Sequence, residues 1–105
     1  MIGVDFGVPL GSEAGNPRPA VIVTAAEIMG YEPRTFQVVP LTTSRRGWAT
    51  DVDIEADGLT ASSVAQCHLL TTIPIQRMID DHKYGNVGPV ALAQIRSVLA
   101  DMLDI

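Results

Sequence analysis

Residues 11–23, GSEAGNPRPAVIV, constrain the fold more than any other part of the chain. The first part of this stretch is rich in turn formers: Gly11, Gly15, Asn16 and Pro17. The apolar, β-branched run at 20–23 follows directly and predicts a strand, which tolerates Pro19 because a first strand residue can forgo one ladder hydrogen bond. Glu13 and Arg18 therefore belong to a loop at the start of a strand, where proteins commonly carry functional groups.

Hydrophobic periodicity and turn signals predict a series of short strands. These strands are expected at 2–6, 18–24, 35–41, 49–54, within 62–70 and, last and shortest, at 83–87. The strand at 49–54 alternates, with Val52 and Ile54 on its apolar face and Asp51 on its polar face. The linker 25–34 is expected to wind one helical turn, and 74–81 is expected to form a short helix because three of its apolar residues have helical spacing and Pro74 lies in its first turn. Pro40, near the end of the third strand, indicates an edge or a bulge.

The C-terminal segment gives the clearest helix prediction. Pro89 opens it, and a wide apolar stripe follows: Val90, Ala91, Ile95, Val98, Leu99, Met102 and Leu103. This stripe must be buried against the sheet or against a partner subunit. Several strands followed by one long helix predict an α+β domain with a small, strongly bent antiparallel sheet.

Length and composition favour one domain covering residues 1–105. The chain is 47% hydrophobic, and its single cysteine, Cys67, excludes an internal disulfide and is interpreted as a small buried hydrophobe within a strand. No apolar run reaches the roughly 20 residues needed to cross a bilayer, and no signal-peptide pattern opens the chain. We therefore expect a cytoplasmic protein with no membrane partner.

The net charge of −5 argues at first against a nucleic-acid partner. The charge distribution weakens this objection, because residues 1–49 carry four arginines and four acidic residues and the surplus acid lies further along. A local cationic site is therefore compatible with the composition. The alternative is that these arginines form an ordinary solvated surface.

Three motifs, in this order, resemble those of the MazF/PemK toxins, which are sequence-specific endoribonucleases of bacterial toxin–antitoxin systems. Val4-Asp5-Phe6 matches the end of that family's first strand, GSE and RPAVIV match its signature loop and second strand, and VVPLTTS matches its third strand. The resemblance covers roughly the whole chain. It implies a small SH3-like antiparallel β-barrel with a long C-terminal helix, a homodimer, and inhibition by a cognate antitoxin protein.

The resemblance also implies cleavage of single-stranded RNA without a metal or other cofactor. Such a reaction uses the 2′-hydroxyl of the RNA as nucleophile and leaves a 2′,3′-cyclic phosphate and a 5′-hydroxyl. Arg18 matches the family's catalytic arginine, and its planar guanidinium suits phosphate oxygens. Thr42 matches the catalytic threonine, which donates to the phosphate. Glu13 is either the general base or a structural residue that holds its own loop closed or pairs with Arg18.

Residues 62–73 depart from the family pattern. His68 stands where members carry a carboxylate, so it is a candidate general base or, alternatively, a polar residue facing solvent or a groove. Gln66 stands where some members have an arginine, and Thr71 where members have arginine or lysine. Gln66 is retained as an RNA-binding candidate. These departures leave open a weak or inactive member that binds RNA or a protein partner.

The loop after the third strand supplies the remaining RNA-binding candidates. Arg45 and Arg46 would contact phosphates, Trp48 would stack on a base, and Thr43 and Ser44 would add further contacts. Trp48 is equally well explained as a core or dimer-interface residue.

A gyrase-poisoning toxin of the same fold is the alternative that lacks catalysis. Its C-terminal signature is Trp-Gly-Ile, whereas this chain ends in Met102-Leu103-Asp104-Ile105, which counts against it. His82 has no metal-ligand partner at a recognisable spacing, and no metal site is predicted.

Overall fold

The structure is a computed structural model that describes residues 2–5, 17–44, 46–54, 62–79 and 87–105, and these residues form short strands, one short helix and one long C-terminal helix. Its elements are β1 (Ile2–Asp5), β2 (Pro17–Ile22), α1 (Ala26–Met29), β3 (Thr35–Thr42), β4 (Asp51–Ile54), β5 (Ser63–Gln66), β6 (Thr71–Pro74), β7 (Met78–Ile79) and α2 (Pro89–Leu103). Two 3₁₀ turns lie at Cys67–Leu69 and Ile75–Arg77. This order confirms the predicted α+β class.

The strands form one antiparallel sheet in the order β4-β5-β3-β2-β1-β7, and β6 also pairs with β3. Strand β3 is the centre of this sheet because it pairs with β2 on one side and with both β5 and β6 on the other. The described strands leave the sheet open between β4 and β7. The closed barrel that the resemblance implied is therefore not seen in this part of the chain.

Pro40 lies where β3 changes partners. Strand β6 pairs with Thr35 to Val38, and β5 pairs with Leu41 and Thr42, so Val39 and Pro40 lie between the two ladders. The carbonyl of Gln37 accepts from Val23 on the β2 side, and N–H groups alternate along a strand, so the missing N–H of Pro40 points away from β2. The predicted edge at Pro40 is wrong, because β3 is the central strand and Pro40 is accommodated in the gap between two partner strands.

Apolar side chains are buried on both faces of the sheet. The larger cluster lies between the sheet and α2 and consists of Val21, Val39, Leu41, Val52, Ile54, Ala65, Cys67, Ile95 and Leu99. The smaller cluster lies on the opposite face and consists of Ala20, Phe36, Val38 and Ile73. Successive residues of β2 and β3 enter opposite clusters because side chains alternate along a strand.

Helix α2 begins at Pro89 as predicted, and Gly88 is its N-cap residue. Pro suits this first position because its missing N–H would have no partner within the helix. Ile95 and Leu99 are buried in the larger cluster, whereas Val90 and Leu103 remain exposed. The predicted stripe is therefore only partly buried within the described residues of this chain.

Two predictions about residues 62–81 are wrong. Cys67 is buried, but it lies in a 3₁₀ turn directly after β5 and not in a strand. The helix expected at 74–81 is replaced by the 3₁₀ turn and β7, because Met78 and Ile79 pair with Val4 and Gly3 of β1. Helical spacing of three apolar residues could not compete with backbone pairing at the edge of β1. Residues 83–86 of the predicted last strand lie outside the described residues.

Candidate functional site

Arg18 and Thr42 lie at the same end of two neighbouring strands. Arg18 lies within β2 and not in the loop before it as predicted, because pairing with β1 extends this strand back past Arg18. Ala20 pairs with Pro40, and continuing this antiparallel register by two residues sets Arg18 opposite Thr42. Alternation puts Arg18 on the same face of the sheet as Ala20, and Thr42 on the same face as Val38, which is the face opposite α2. The two residues that sequence analysis assigned to the scissile phosphate therefore share one face and one strand end.

Gln66 extends this group to a third strand. Arg18 Nη1 donates a hydrogen bond to Gln66 Oε1 at 3.4 Å, which is long for such a bond, so the guanidinium reaches across β3 towards β5. Gln66 is only 6% exposed and lies opposite Asp51 in the β4–β5 register. We define Arg18, Thr42 and Gln66 as the arginine–threonine group.

Thr42 already makes one hydrogen bond within its own loop. Its Oγ1 accepts the backbone N–H of Ser44 at 3.2 Å, which holds the chain in a tight turn as it leaves β3. The hydroxyl proton can still be donated, because a hydroxyl is both donor and acceptor. Thr43 and Ser44 are exposed beside it.

A second group, which we call the tryptophan cluster, is formed by Arg46, Trp48, Asp51 and His68. The guanidinium carbon of Arg46 lies 3.9 Å from the ring centroid of Trp48, and the Trp48 and His68 rings lie 4.8 Å apart at 56°. Arg46 Nη2 also pairs with Asp51 Oδ1 at 3.4 Å. Trp48 is 49% exposed, so this cluster presents an aromatic face with a cation stacked on it.

The tryptophan cluster and the arginine–threonine group are joined through the sheet. Asp51 and Gln66 are register partners in β4 and β5, and Cys67 N–H donates to the carbonyl of Thr50, which anchors the turn that carries His68. Strand pairing thus brings candidates from the loops after β3 and β5 to one region of the sheet.

Two buried polar atoms of the tryptophan cluster have no hydrogen-bond partner among the residues that the structure describes. They are Asp51 Oδ2 and His68 Nδ1. Burial lowers the pKa of His68 and the charge of Arg46 lowers it further, while Asp51 acts in the opposite direction. His68 is therefore mainly neutral at pH 7 and has one nitrogen free to accept a proton.

A family model described as a PemK-like, MazF-like toxin of a type II toxin–antitoxin system matches residues 1–103. The chain belongs to this family. It is similar to the MazF-mt6 toxin of Mycobacterium tuberculosis, with 23% identity over 99% of this chain and 96% of that one and a TM-score of 0.78. It is also similar to MazF from Deinococcus radiodurans, with 23% identity over 99% and 92% of the two chains and a TM-score of 0.81.

A third similar structure is an endoribonuclease in complex with its cognate antitoxin from mycobacterial species. The identity is 24% over 99% of this chain and 90% of that one, with a TM-score of 0.72. At this level of identity the three structures show that this toxin has the MazF fold. The assignment of the site residues therefore depends on the geometry of this chain itself.

The lone thiol of this toxin lies beside the candidate site but is not a nucleophile. Burial raises the pKa of the Cys67 thiol to about 11, and the charge of Asp51 contributes to this shift. The thiol is therefore protonated at neutral pH. Its burial confirms the interpretation of Cys67 as a small core hydrophobe.

Three of the residues singled out in the sequence lie outside the described part of the chain: Glu13, Arg45 and His82. Within the described part, no three His, Cys, Asp or Glu side chains are grouped so that they could hold a metal ion. None of the described helices is long and apolar enough to cross a membrane.

Asp51 is the site residue that sequence analysis missed. The alternation of β4 assigned it to the polar face, yet its side chain is only 5% exposed and pairs with Arg46. The signal was the sequence RRGWATD, in which a cation, an aromatic residue and an acid are close enough along the chain to meet in one loop. Nothing in that signal required burial, which depends on β5 packing beside β4.

Proposed function

We propose that this toxin is an endoribonuclease that cleaves single-stranded RNA without a metal ion. The single observation that carries the proposal is the placement of Arg18 and Thr42 on one face at adjacent strand ends. A guanidinium and a hydroxyl in this arrangement can bind the two nonbridging oxygens of one phosphate. Their identity with the family's catalytic arginine and threonine supports the same assignment.

The RNA supplies its own nucleophile in this reaction. The 2′-oxygen attacks the adjacent phosphorus in line as its proton passes to a base, and the bond to the 5′-oxygen breaks as that oxygen gains a proton. The products are a 2′,3′-cyclic phosphate and a 5′-hydroxyl, with no water consumed. Arg18 and Thr42 stabilise the charge that builds on the phosphate oxygens in the transition state.

Two residues are candidates for the base. His68 is supported by its lowered pKa, which keeps the imidazole in its basic form at neutral pH. Glu13, which comes from the loop before β2, is the alternative supported by the family resemblance. The two assignments differ in the result expected for His68→Ala, because this substitution removes general-base catalysis only if the imidazole is the base.

The loop after β3 binds the RNA on either side of the cleaved bond in this proposal. Trp48 offers a half-exposed ring for base stacking, and Arg46 offers a cation beside it. Arg45, Thr43 and Ser44 add contacts to the RNA backbone. Gln66 holds the Arg18 guanidinium in place and contacts the RNA from β5.

We further propose a homodimer in the cytoplasm that a cognate antitoxin inhibits. The partly exposed apolar stripe of α2 supports a protein partner, because Val90 is 72% and Leu103 54% exposed. The similar mycobacterial endoribonuclease in complex with its cognate antitoxin supports the same class of partner.

Incubation with a long single-stranded RNA in EDTA tests the nuclease proposal. The wild-type protein is expected to produce discrete cuts with cyclic phosphate ends, and Arg18→Ala is expected to lower the rate by roughly 10²–10³-fold. Arg96→Ala, an exposed arginine of α2, is the matched control and should cut at the wild-type rate. A folded wild-type protein that makes no cuts, or an Arg18→Ala variant that cuts normally, would overturn the proposal.

A binding-only toxin is the second candidate function. One observation favours it. The buried partner of Arg18 is the neutral amide of Gln66, whereas some relatives carry a second cation at this position. Binding of RNA without cleavage in the same experiment would support it.

A further inference from the structure

Within the tryptophan cluster, the Arg46 side chain lies against Trp48 and Asp51 in the arrangement that a bound nucleobase would adopt. Its planar guanidinium lies 3.9 Å from the ring centroid of Trp48, and its Nη2 points an N–H at Asp51 Oδ1 from 3.4 Å. A planar group stacked on an indole, with its polar edge against a carboxylate, is how proteins hold a single-stranded nucleobase.

Guanine is the base whose edge matches this carboxylate. Its N1–H and its 2-amino group are two neighbouring donors on one guanidine-like unit, and an ionised carboxylate can accept both. Adenine and cytosine present one amino donor beside an acceptor, and uracil presents one N–H between two acceptors. These three bases therefore offer Asp51 at most one donor each.

The cluster retains polar atoms that Arg46 does not satisfy. Asp51 Oδ2 and His68 Nδ1 are buried and have no hydrogen-bond partner within the described part of the chain, although such groups are normally paired. A guanine in the place of the guanidinium would donate to both oxygens of Asp51. His68 Nδ1, in its protonated tautomer, would be available to donate to the O6 of the same base.

We propose that Trp48, Asp51 and His68 form a guanine-binding subsite for single-stranded RNA, and that the Arg46 side chain occupies this subsite in the free protein. The inference rests on the proposed function, because it names the base that the RNA-binding loop selects. When the base enters, Arg46 leaves Trp48 and is free to contact a neighbouring phosphate. Arg46 thus exchanges an internal ion pair for an RNA contact.

Binding of uncleavable trinucleotides tests the subsite directly. We would titrate 2′-O-methyl UGU, UIU, UAU and UUU and follow the fluorescence of Trp48, which is the only tryptophan in the chain. UGU is expected to bind at least tenfold tighter than UAU and UUU. UIU, which lacks only the 2-amino group, is expected to bind about fivefold more weakly than UGU. This comparison uses the wild-type protein and does not depend on the folding of any variant.

Three variants assign the preference to individual residues. Asp51→Asn keeps the volume but removes one acceptor, so the preference for UGU is expected to fall below about twofold. Asp53→Asn, two residues along β4, is the matched control and should keep it. Arg46→Met removes both the occupant of the subsite and a phosphate contact, which oppose each other in affinity, so the expected result is that the preference for UGU remains.

The outcomes separate this inference from the nuclease proposal. Three results would each overturn the guanine subsite. They are equal binding of all four trinucleotides, a preference for UGU that survives in Asp51→Asn, and a preference for UGU that disappears in Arg46→Met. Because the methylated RNA cannot be cut, these results are independent of catalysis. A preference for UGU without cleavage of long RNA would support the subsite and overturn the nuclease proposal. Cleavage of long RNA without any preference for guanine would support the nuclease proposal and overturn the subsite.

Discussion

At the scale of residues, two arginines of this toxin have contrasting environments. Arg46 pairs with a carboxylate and stacks on Trp48, so its charge is partly compensated inside the protein. Arg18 bonds to the side chain of Gln66, which is neutral and does not cancel the charge of the guanidinium. This difference is the physical reason to assign Arg18 to the scissile phosphate. It is also the reason to assign Arg46 to a position where it exchanges Asp51 for an RNA phosphate.

His68 is expected to make the folded protein less stable in mild acid. Because its pKa in the folded state is below the ordinary 6.5, the unfolded chain takes up a proton first as pH falls through 6.5. The stability lost through this residue therefore accumulates below pH 6.5 and levels off once the folded state is also protonated. Urea unfolding at pH 7.5 and 5.5 measures the effect, and His68→Gln should lose less stability over this range than the wild type. An equal loss in both proteins would contradict the assignment.

At the scale of elements, α2 is attached to the sheet along one apolar face. Ile95 is fully buried and Leu99 is 8% exposed, and Ala91, Leu92 and Val98 are partly buried against the same cluster. Val90 in the first turn, by contrast, is 72% exposed. The remaining apolar surface of α2 is available to a protein partner.

Ile95→Ala is expected to lower the free energy of unfolding by about 2–5 kcal/mol, because it removes buried apolar surface and leaves a cavity. Val90→Ala is the control on the same helix and should change stability by no more than about 0.5 kcal/mol. Urea denaturation of the purified variants measures both. A small effect at Ile95 would mean that α2 is loosely attached to the sheet.

The chain leaving α1 contains a strained residue. Glu32 has a φ of 53°, which costs a residue with a Cβ roughly 1–2 kcal/mol, and the following Pro33 restricts it further. Glu32→Gly is therefore expected to raise the free energy of unfolding by about 0.5–1 kcal/mol, after the entropy of the unfolded glycine is subtracted. Glu27→Gly, inside α1, is expected to lower it by about 0.5–1 kcal/mol. Thermal unfolding of the two variants should shift in opposite directions.

At the scale of the whole molecule, an acidic protein carries a local cationic site. The net charge is −5, yet the sheet brings Arg18 and the loop with Arg46 to one region. In the proposed function, attraction of RNA therefore depends on a few contacts and not on a broad basic surface. Specific base and phosphate contacts must supply most of the affinity.

RNA binding is expected to depend only moderately on salt. With about three phosphate contacts, from Arg18, Arg45 and Arg46, the slope of log K against log salt for a single strand should be about −2. Arg46→Met should make the slope shallower by about 0.7, and Arg96→Ala should not change it. Titration of a 2′-O-methyl RNA between low and moderate KCl measures the slope. A much steeper value would indicate further cations in the interface.

Much of the fold could be predicted from local patterns. The period-two alternation of 49–54 predicted the buried Val52 and Ile54, and Pro89 marked the first residue of α2. The helix predicted at 74–81 failed because Met78 and Ile79 pair with β1, more than 70 residues away in the sequence. A local pattern describes what a segment can form alone, whereas an unpaired strand edge elsewhere decides what it does form.

The amino acids of this chain determined which chemical groups are available: a guanidinium near the start of a strand, a threonine at the end of another, a tryptophan beside arginines, and a histidine in place of an acid. Their assembly was decided by tertiary structure, since Arg18 and Gln66 are 48 residues apart and meet only because β2, β3 and β5 pair side by side. The same pairing buries Asp51 next to Arg46 and Trp48 and, among the described residues, leaves one of its oxygens without a partner. Burial and unsatisfied hydrogen bonds depend on distant neighbours, which a local sequence pattern does not contain.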